Sequence, residues 1–265
     1  MCQPVDTPNA PRLTMNPGGN SSSGQRIPPK LDFQGVILAG GLGTRMRPLT
    51  ETIPKPMIPV SGKPFLHHQL ELLRRSGFRR VLLLVAYLGE QIEEHFGDGR
   101  SLDLELSYSY EPEPLGTGGA LKNAGGKLER EFLALNGDTF LAIDYAALVA
   151  NFRQQPAAAL IVAQKIGAQE NENVTVKSNL ALTPDGWVKA YQKRDPAGMT
   201  HIDAGAVVLD RQVLEAIPPG KKFSLEEEIF PRLIEQRQMR AWVTLERFID
   251  MGSPEGLRAL EARLG

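Results

Sequence analysis

Three glycines, two arginines and a lysine held between prolines stand close together in "VILAGGLGTRMRPLTETIPKPM", residues 36–57. Gly40, Gly41 and Gly43 let the backbone turn sharply with its amides facing outward, while Arg45, Arg47, Lys55 and Lys63 add positive charge against Glu51 alone. That combination suits phosphate. A Walker loop is excluded, because Gly62-Lys63 is followed by Pro64 rather than Ser or Thr; a dinucleotide fingerprint is excluded too, because Met46 stands where its third glycine belongs. A surface turn with solvated charges would carry the same glycines. Pro54-Lys55-Pro56 argues against it: flanking prolines restrain the backbone and aim one lysine, which a merely solvated lysine does not need.

Two carboxylates complete the chemistry. Asp138 follows the apolar run 132–135 in "ALNGDTF", and Asp250 follows Phe248 and Ile249 in "RFIDMGSPE". Either one alone reads as a turn or cap residue, Asp250 especially, since Ser253-Pro254 opens a helix just beyond it. As a pair at strand ends beside a cationic loop they suit Mg²⁺, which keeps several waters and takes one or two protein carboxylates plus substrate phosphate oxygens. Other chemistries lack their reagents. His67, His68, His95 and His201 have no zinc spacing, and neither a Gly-x-Ser-x-Gly elbow nor a cysteine nucleophile is present. The acidic run in "SLEEEIF" reads most simply as a solvated helix face.

Positioning such groups requires alternating strands and helices. Residues 36–39, 81–86, 104–108, 132–135 and 158–163 read as strands. Between them fall helices at 64–76, stopped by Gly77, at 90–96, at 120–128 despite Gly125 and Gly126, and at 145–154 behind an Asp144 cap. This alternation predicts an α/β fold, a doubly wound, mostly parallel sheet covered on both faces. The second half adds antiparallel pieces: strands at 174–177 and 187–192 around a Pro184-Asp185-Gly186 turn. Ser224 and Glu227 form a capping box for a helix that reaches Gln236, with Pro231 confining it, and Ser253-Pro254 starts the last helix. Ligands of open α/β sheets bind at the carboxyl ends of strands, so the loops after Ala39, Leu135 and Ile249 belong together.

The bulk properties leave any phosphate binding to local clustering of charge rather than to the overall field. At 265 residues with 42% hydrophobic residues the chain can bury an ordinary core, and a formal charge of -1 excludes a general nucleic-acid binder. Residues 1–33 are rich in Pro, Gly and Ser and read as a disordered tail, leaving 34–265 as one domain. Cys2, the single cysteine, cannot form an internal disulfide, and neither a secretory signal nor a long apolar run appears, so the expected address is the cytoplasm, away from membranes.

With the glycine loop, the flanked lysine and the two aspartates in view, the chain resembles the sugar nucleotidyltransferase (nucleoside diphosphate sugar pyrophosphorylase) family from about Gly35 to Leu264. An apolar strand, then Gly-Gly-x-Gly-Thr-Arg and Pro-Lys-Pro, is the family signature. "EPEPLGTGGAL", "FLALNGDTF", "KFSLEEEIF" and "FIDMGSPEGL" look most like the mannose 1-phosphate and D-glycero-D-manno-heptose 1-phosphate guanylyltransferases. The resemblance implies a Rossmann-like nucleotidyltransferase fold, Mg²⁺ dependence, and a nucleoside triphosphate, GTP above others, as partner of a sugar 1-phosphate. It implies that Leu38, Ala39, Gly40, Gly41, Gly43, Thr44 and Gly116 border the nucleotide, and that Arg45, Lys55 and Lys193 contact the reacting phosphates. It also implies that Asp138 and Asp250 ligate the metal, and that Asn136, Gln192, Lys193 and Gly205 hold the sugar phosphate. A homo-oligomer is compatible with it.

Departures concern the sugar. Many relatives carry Glu where this chain has Gln192, and the glycine and tyrosine common near "NENVTV" are absent. Thymidylyl-, cytidylyl- or uridylyltransfer to glucose 1-phosphate is the alternative within the family; a catalytically silent nucleotide-sugar-binding domain is the alternative outside enzymology. The latter would be expected to lose Arg45, Lys55, Asp138 or Asp250, and all four are present.

Overall fold

A computed structural model describes residues 29–165, 179–192 and 197–265. The first strand, β1 (Gln34–Leu38), is buried along most of its length, as a central strand covered on both faces must be. The glycine loop follows, then a two-residue ribbon of β2 (Pro59–Val60) and β3 (Lys63–Pro64), and α1 (Phe65–Arg75). Next come β4 (Arg80–Val85), α2 (Gly89–Phe96), β5 (Glu105–Tyr110) and α3 (Gly116–Asn123). After β6 (Glu131–Asn136) and the short β7 (Thr139–Phe140), α4 (Tyr145–Arg153) begins on its expected cap, the Asp144 carboxylate accepting from Ala147 N. The second half runs β8 (Ala159–Lys165), β9 (Leu180–Leu182), β10 (Val188–Tyr191), β11 (His201–Asp210), α5 (Phe230–Glu235), β12 (Met239–Thr244), β13 (Ile249–Asp250) and α6 (Pro254–Leu264).

β6, β1, β4 and β5 lie side by side and parallel. Strands β4 and β5 continue on one side of β1 while β6 sits on the other, so the winding direction reverses beside β1. That reversal opens a crevice at the carboxyl ends of β1 and β6. The antiparallel additions are present as well: β11 runs against β6, β8 and β9, and β12 lies parallel to β8 at the far edge. Apolar residues fill both faces. Leu66, Leu70 and Leu73 of α1 and Phe152 of α4 pack with Ile37 and Leu133, while Leu121 of α3 and Ile229 pack with Val36 and Phe132.

Several expectations are corrected. Residues Leu31 and Phe33, assigned by composition to the tail, belong to the packed part: Leu31 N donates to Gly77 O, and Phe33 is 1% exposed, edge-on to Phe78. α3 starts at Gly116 rather than at 120 and ends at Asn123, because contacts described below stabilise its glycines. The β10 hairpin partner is β9; the strand expected at 174–177 lies outside the described residues. Ser224 does accept from Glu227 N, but the reciprocal arm is Glu228, whose Oε2 accepts from Ser224 N at 2.7 Å. A wide π-helical turn over Leu225–Ile229 explains the one-residue shift, and Pro231 falls in the first turn of α5 that follows.

Candidate active site

The loop after β1 is shaped by Gly43, whose φ of 61° lies in the left-handed region. A Cβ there would sit 2.8 Å from Thr50 Cγ2 and 3.1 Å from Lys55 Cβ, and Thr50 Oγ1 donates to Gly43 O at 2.8 Å. This knot draws the "RPLT" segment back under the loop and leaves Arg45 projecting, its side chain 65% exposed. Gly41 differs: nothing lies within 4 Å of where its Cβ would be, so it presents bare backbone to open space.

Lys55 is the opposite of a solvated lysine. Only 7% exposed, it donates from Nζ to Asp138 Oδ2 at 2.6 Å. Asp138 occupies the β6–β7 turn, and there the chain closes on its own distant end: β13 pairs antiparallel with β7, and Met251 N donates to Asp138 O at 2.9 Å. Asp250 is thereby set beside Asp138. Its Oδ1 accepts from Gly252 N at 2.7 Å, and its Oδ2 lies 3.9 Å from Arg45 Nη2. Gly252 leaves room for that approach, since a Cβ would stand 2.5 Å from the guanidinium. Each carboxylate therefore has one cation. Two hard oxygen ligands next to a cationic loop fit an ion that keeps several waters, and among the described residues no larger cluster of metal-ligating side chains exists.

A cleft of about 520 Å³ lies in front of these groups. Leu38, Ala39, Gly40, Gly41, Gly43, Thr44, Arg45, Lys55, Asn136 and Asp138 line it, with Glu111 against Gly40, and so do Gly116, Thr117 and Glu226 of a second wall. Asp250 stands just behind Gly252. The second wall is backbone pressed on backbone: Gly118 N and Gly119 N both donate to Phe223 O, and a Cβ on Gly116 or Gly119 would stand 2.8 Å from Phe223 O or 2.5 Å from Lys221 O. Thr117 Oγ1 and Ser224 Oγ both donate to Glu226 Oε2, at 2.8 and 2.7 Å. The acidic run is thus corrected in part. Glu227 is exposed as expected, but the π-helical turn swings Glu226 into the cleft wall.

A smaller hollow of about 20 Å³ adjoins the cleft and shares Leu38, Thr117, Asn136 and Glu226 with it. Asp203 and Gly205 line this hollow. Gly205 has a φ of 72°, and a Cβ would meet Thr139 Oγ1 at 2.9 Å and Asn136 Nδ2 at 3.1 Å. Asp203 accepts from Gly205 N and from the hydroxyl of the half-buried Tyr191; desolvation first and this carboxylate second push the phenol well above its usual range. Gln192 is exposed and lines neither cavity, and Lys193 lies outside the described residues.

Sequence reasoning missed Glu111. It follows β5 at the same carboxyl edge, so the rule that singled out Asp138 would have found it. Its Oε2 accepts from Leu115 N at 3.0 Å, and burial raises its pKa above the ordinary carboxylate range despite that bond.

Residues 34–264 match the family model described as nucleotidyl transferase. The chain belongs to the nucleotidyl transferase family. It is 35% identical over 223 residues to a mannose-1-phosphate guanylyltransferase of Mycobacterium tuberculosis, covering 83% of this chain and 61% of that protein. It is also 35% identical over 224 residues to a D-glycero-alpha-D-manno-heptose 1-phosphate guanylyltransferase of Campylobacter jejuni, covering 84% of this chain and 96% of that one. The chain thus spans less than two thirds of the first relative and nearly all of the second. The crystal structure of HddC from Yersinia pseudotuberculosis complexed with GMP-PN superposes with a TM-score of 0.73 at 31% identity, over 88% of this chain and 100% of that one.

Proposed function

We propose that this chain is an enzyme that joins GTP to a sugar 1-phosphate of the mannose or D-glycero-D-manno-heptose type, giving a nucleotide sugar and pyrophosphate. The single observation that carries this is the crossed arrangement at the sheet's reversal point, Lys55 on Asp138 and Arg45 near Asp250, facing a cleft floored by bare glycine backbone. In the reaction an anionic oxygen of the sugar 1-phosphate attacks the α phosphorus of the triphosphate, and pyrophosphate leaves in line. No general base is needed, since a phosphate monoester with a second pKa of about 6 is already largely deprotonated at neutral pH. The obstacle is repulsion between two polyanions, so catalysis is positioning plus charge neutralisation.

In this reading Leu38, Ala39, Gly40, Gly41, Gly43, Thr44 and Gly116 border the nucleotide, and Arg45 and Lys55 contact its phosphates. Lys193 meets the sugar phosphate, and Asn136, Gln192 and Gly205 form the sugar side. Asp138 and Asp250 would hold Mg²⁺, which supplies neutralisation of triphosphate charge when bound. The choice of guanine is supported by the names of the relatives and by Glu111: a carboxylate only accepts hydrogen bonds, and guanine carries N2–H donors where the pyrimidines thymine and uracil offer fewer. Residues 34–265, with the packed Leu31 and Phe33 just ahead of them, would act as one catalytic domain in the cytoplasm; no helix among the described residues is long and apolar enough to cross a membrane.

The test is a matrix of four nucleoside triphosphates against hexose and heptose 1-phosphates, scored for Mg²⁺-dependent pyrophosphate release. GTP with a manno-configured sugar 1-phosphate should give the highest rate. Binding of nucleotides without pyrophosphate release from any pair would overturn an enzymatic role, and a uridine or thymidine preference would overturn the base assignment.

A further inference from the structure

Gln69 lies on the buried face of α1, in line with Leu66, Leu70 and Leu73, and is 2% exposed. A polar side chain among aliphatic ones is unfavourable unless it is hydrogen-bonded. Its Nε2 donates to two backbone carbonyls, Asn136 O at 2.8 Å and Thr139 O at 2.9 Å. Those carbonyls bracket Gly137 and Asp138. Its Oε1 has no partner, the one buried side-chain atom in that condition among the described residues. A buried acceptor without a protein partner is costly, and leucine at this position would extend the apolar stripe but leave both carbonyls without this donor. Turning the amide over would set Oε1 against two carbonyl oxygens, so the position requires two donors. The backbone of this turn is also anchored elsewhere: Gly137 N donates to Leu38 O at 3.0 Å, and Asp138 O accepts from Met251 N at 2.9 Å.

We propose that Gln69 is a positioning residue, its buried amide clamping both ends of the 136–139 turn so that the Asp138 carboxylate meets Lys55 and stands beside Asp250. The inference rests on the reading above in which the two aspartates hold a divalent cation. It accounts for a polar group at a site where packing alone favours an apolar one. A break in local consistency of this kind is where functional demand is expected to show.

Gln69→Met, close in volume, and Gln69→Glu, equal in length, remove the paired donors in different ways. Mn²⁺ is titrated into protein plus GTP, and into GTP alone as a blank, with the free ion followed by electron paramagnetic resonance; Tm and pyrophosphate release are measured alongside. Both variants should raise the Mn²⁺ half-saturation by about 10- to 100-fold. Gln69→Met removes the orphaned oxygen but also the donor to the Asn136 and Thr139 carbonyls, so its Tm should fall modestly, to a degree comparable with the control that follows. Leu70→Val on the same helix should lower Tm with wild-type Mn²⁺ half-saturation. A wild-type Mn²⁺ response in either Gln69 variant, or an equal shift in Leu70→Val, would overturn the proposal. Wild-type protein that holds no Mn²⁺ beyond the GTP blank would instead overturn the metal reading itself, which separates the two failures.

Discussion

On the β1 side of the cleft, charged side chains stand on loops above a parallel sheet; on the α3 side, glycine backbone is pressed against the carbonyls of residues 221–223 and a carboxylate is held by two hydroxyls. The first wall carries the charge, and its Gly41 faces open space, whereas a Cβ on Gly40 would meet Glu111 Oε1 at 2.7 Å. The second wall spends its glycines on the fold itself. Identical residue types therefore carry different meanings a few ångströms apart, and substitutions should separate them.

The largest effect is expected at the charged wall. Lys55→Arg should lower kcat/KM by about 10²- to 10³-fold, since a broad guanidinium cannot replace a buried point donor 2.6 Å from Asp138. Steady-state pyrophosphate release measures it, and near wild-type turnover would break the assignment. Gly119→Ala tests the packed wall: its Cβ would lie 2.5 Å from Lys221 O, so thermal unfolding should show a loss of about 1–3 kcal/mol. Gly41→Ala is the counterpart, with open space around its Cβ. Tm should stay at the wild-type value while KM for GTP rises about tenfold, equivalent to about 1.4 kcal/mol. A drop in Tm with unchanged KM would erase the contrast between the walls.

The smallest effect concerns Glu111. Its carboxyl pKa is raised by burial, so protonation is favoured by folding: that contribution is fully present below the ordinary carboxylate range and is lost as pH rises through the raised value. Glu111→Gln does not titrate and keeps an acceptor for Leu115 N. Its Tm should match wild type near pH 4 and exceed it slightly at neutral pH, while discrimination between GTP and UTP falls. Scanning calorimetry at the two pH values, with a nucleotide competition assay, checks both halves.

How much of this was legible in the sequence follows the same division. Strands and helices with strong local periodicity, such as β4, α2 and α4, lie within a residue or two of expectation, because their pattern is set by neighbours in the chain. The positions of the glycine loop and of both aspartates at strand ends were also legible, since each stands at or just past the end of an apolar run. α3 was misread at its start because glycine is locally a poor helix former; only the distant Phe223 carbonyl makes its first turn favourable, and no local signal carries that. Glu226 and Gln69 were hidden for a related reason. One reads as part of a solvated run until a π-helical turn rotates it, and the other stands within the helix expected at 64–76 with no local signal of its two carbonyl partners.

The two-residue ladder between β7 and β13 is small, yet together with the Met251 N to Asp138 O bond it sets the two acids side by side. Short pairings at the margin of a fold open more readily than the strands of a broad central sheet. Opening there would part the two acids while the broad sheet stays intact, so the endurance of the site depends on this seam and on Phe140, Met251 and Leu260 packed beneath it.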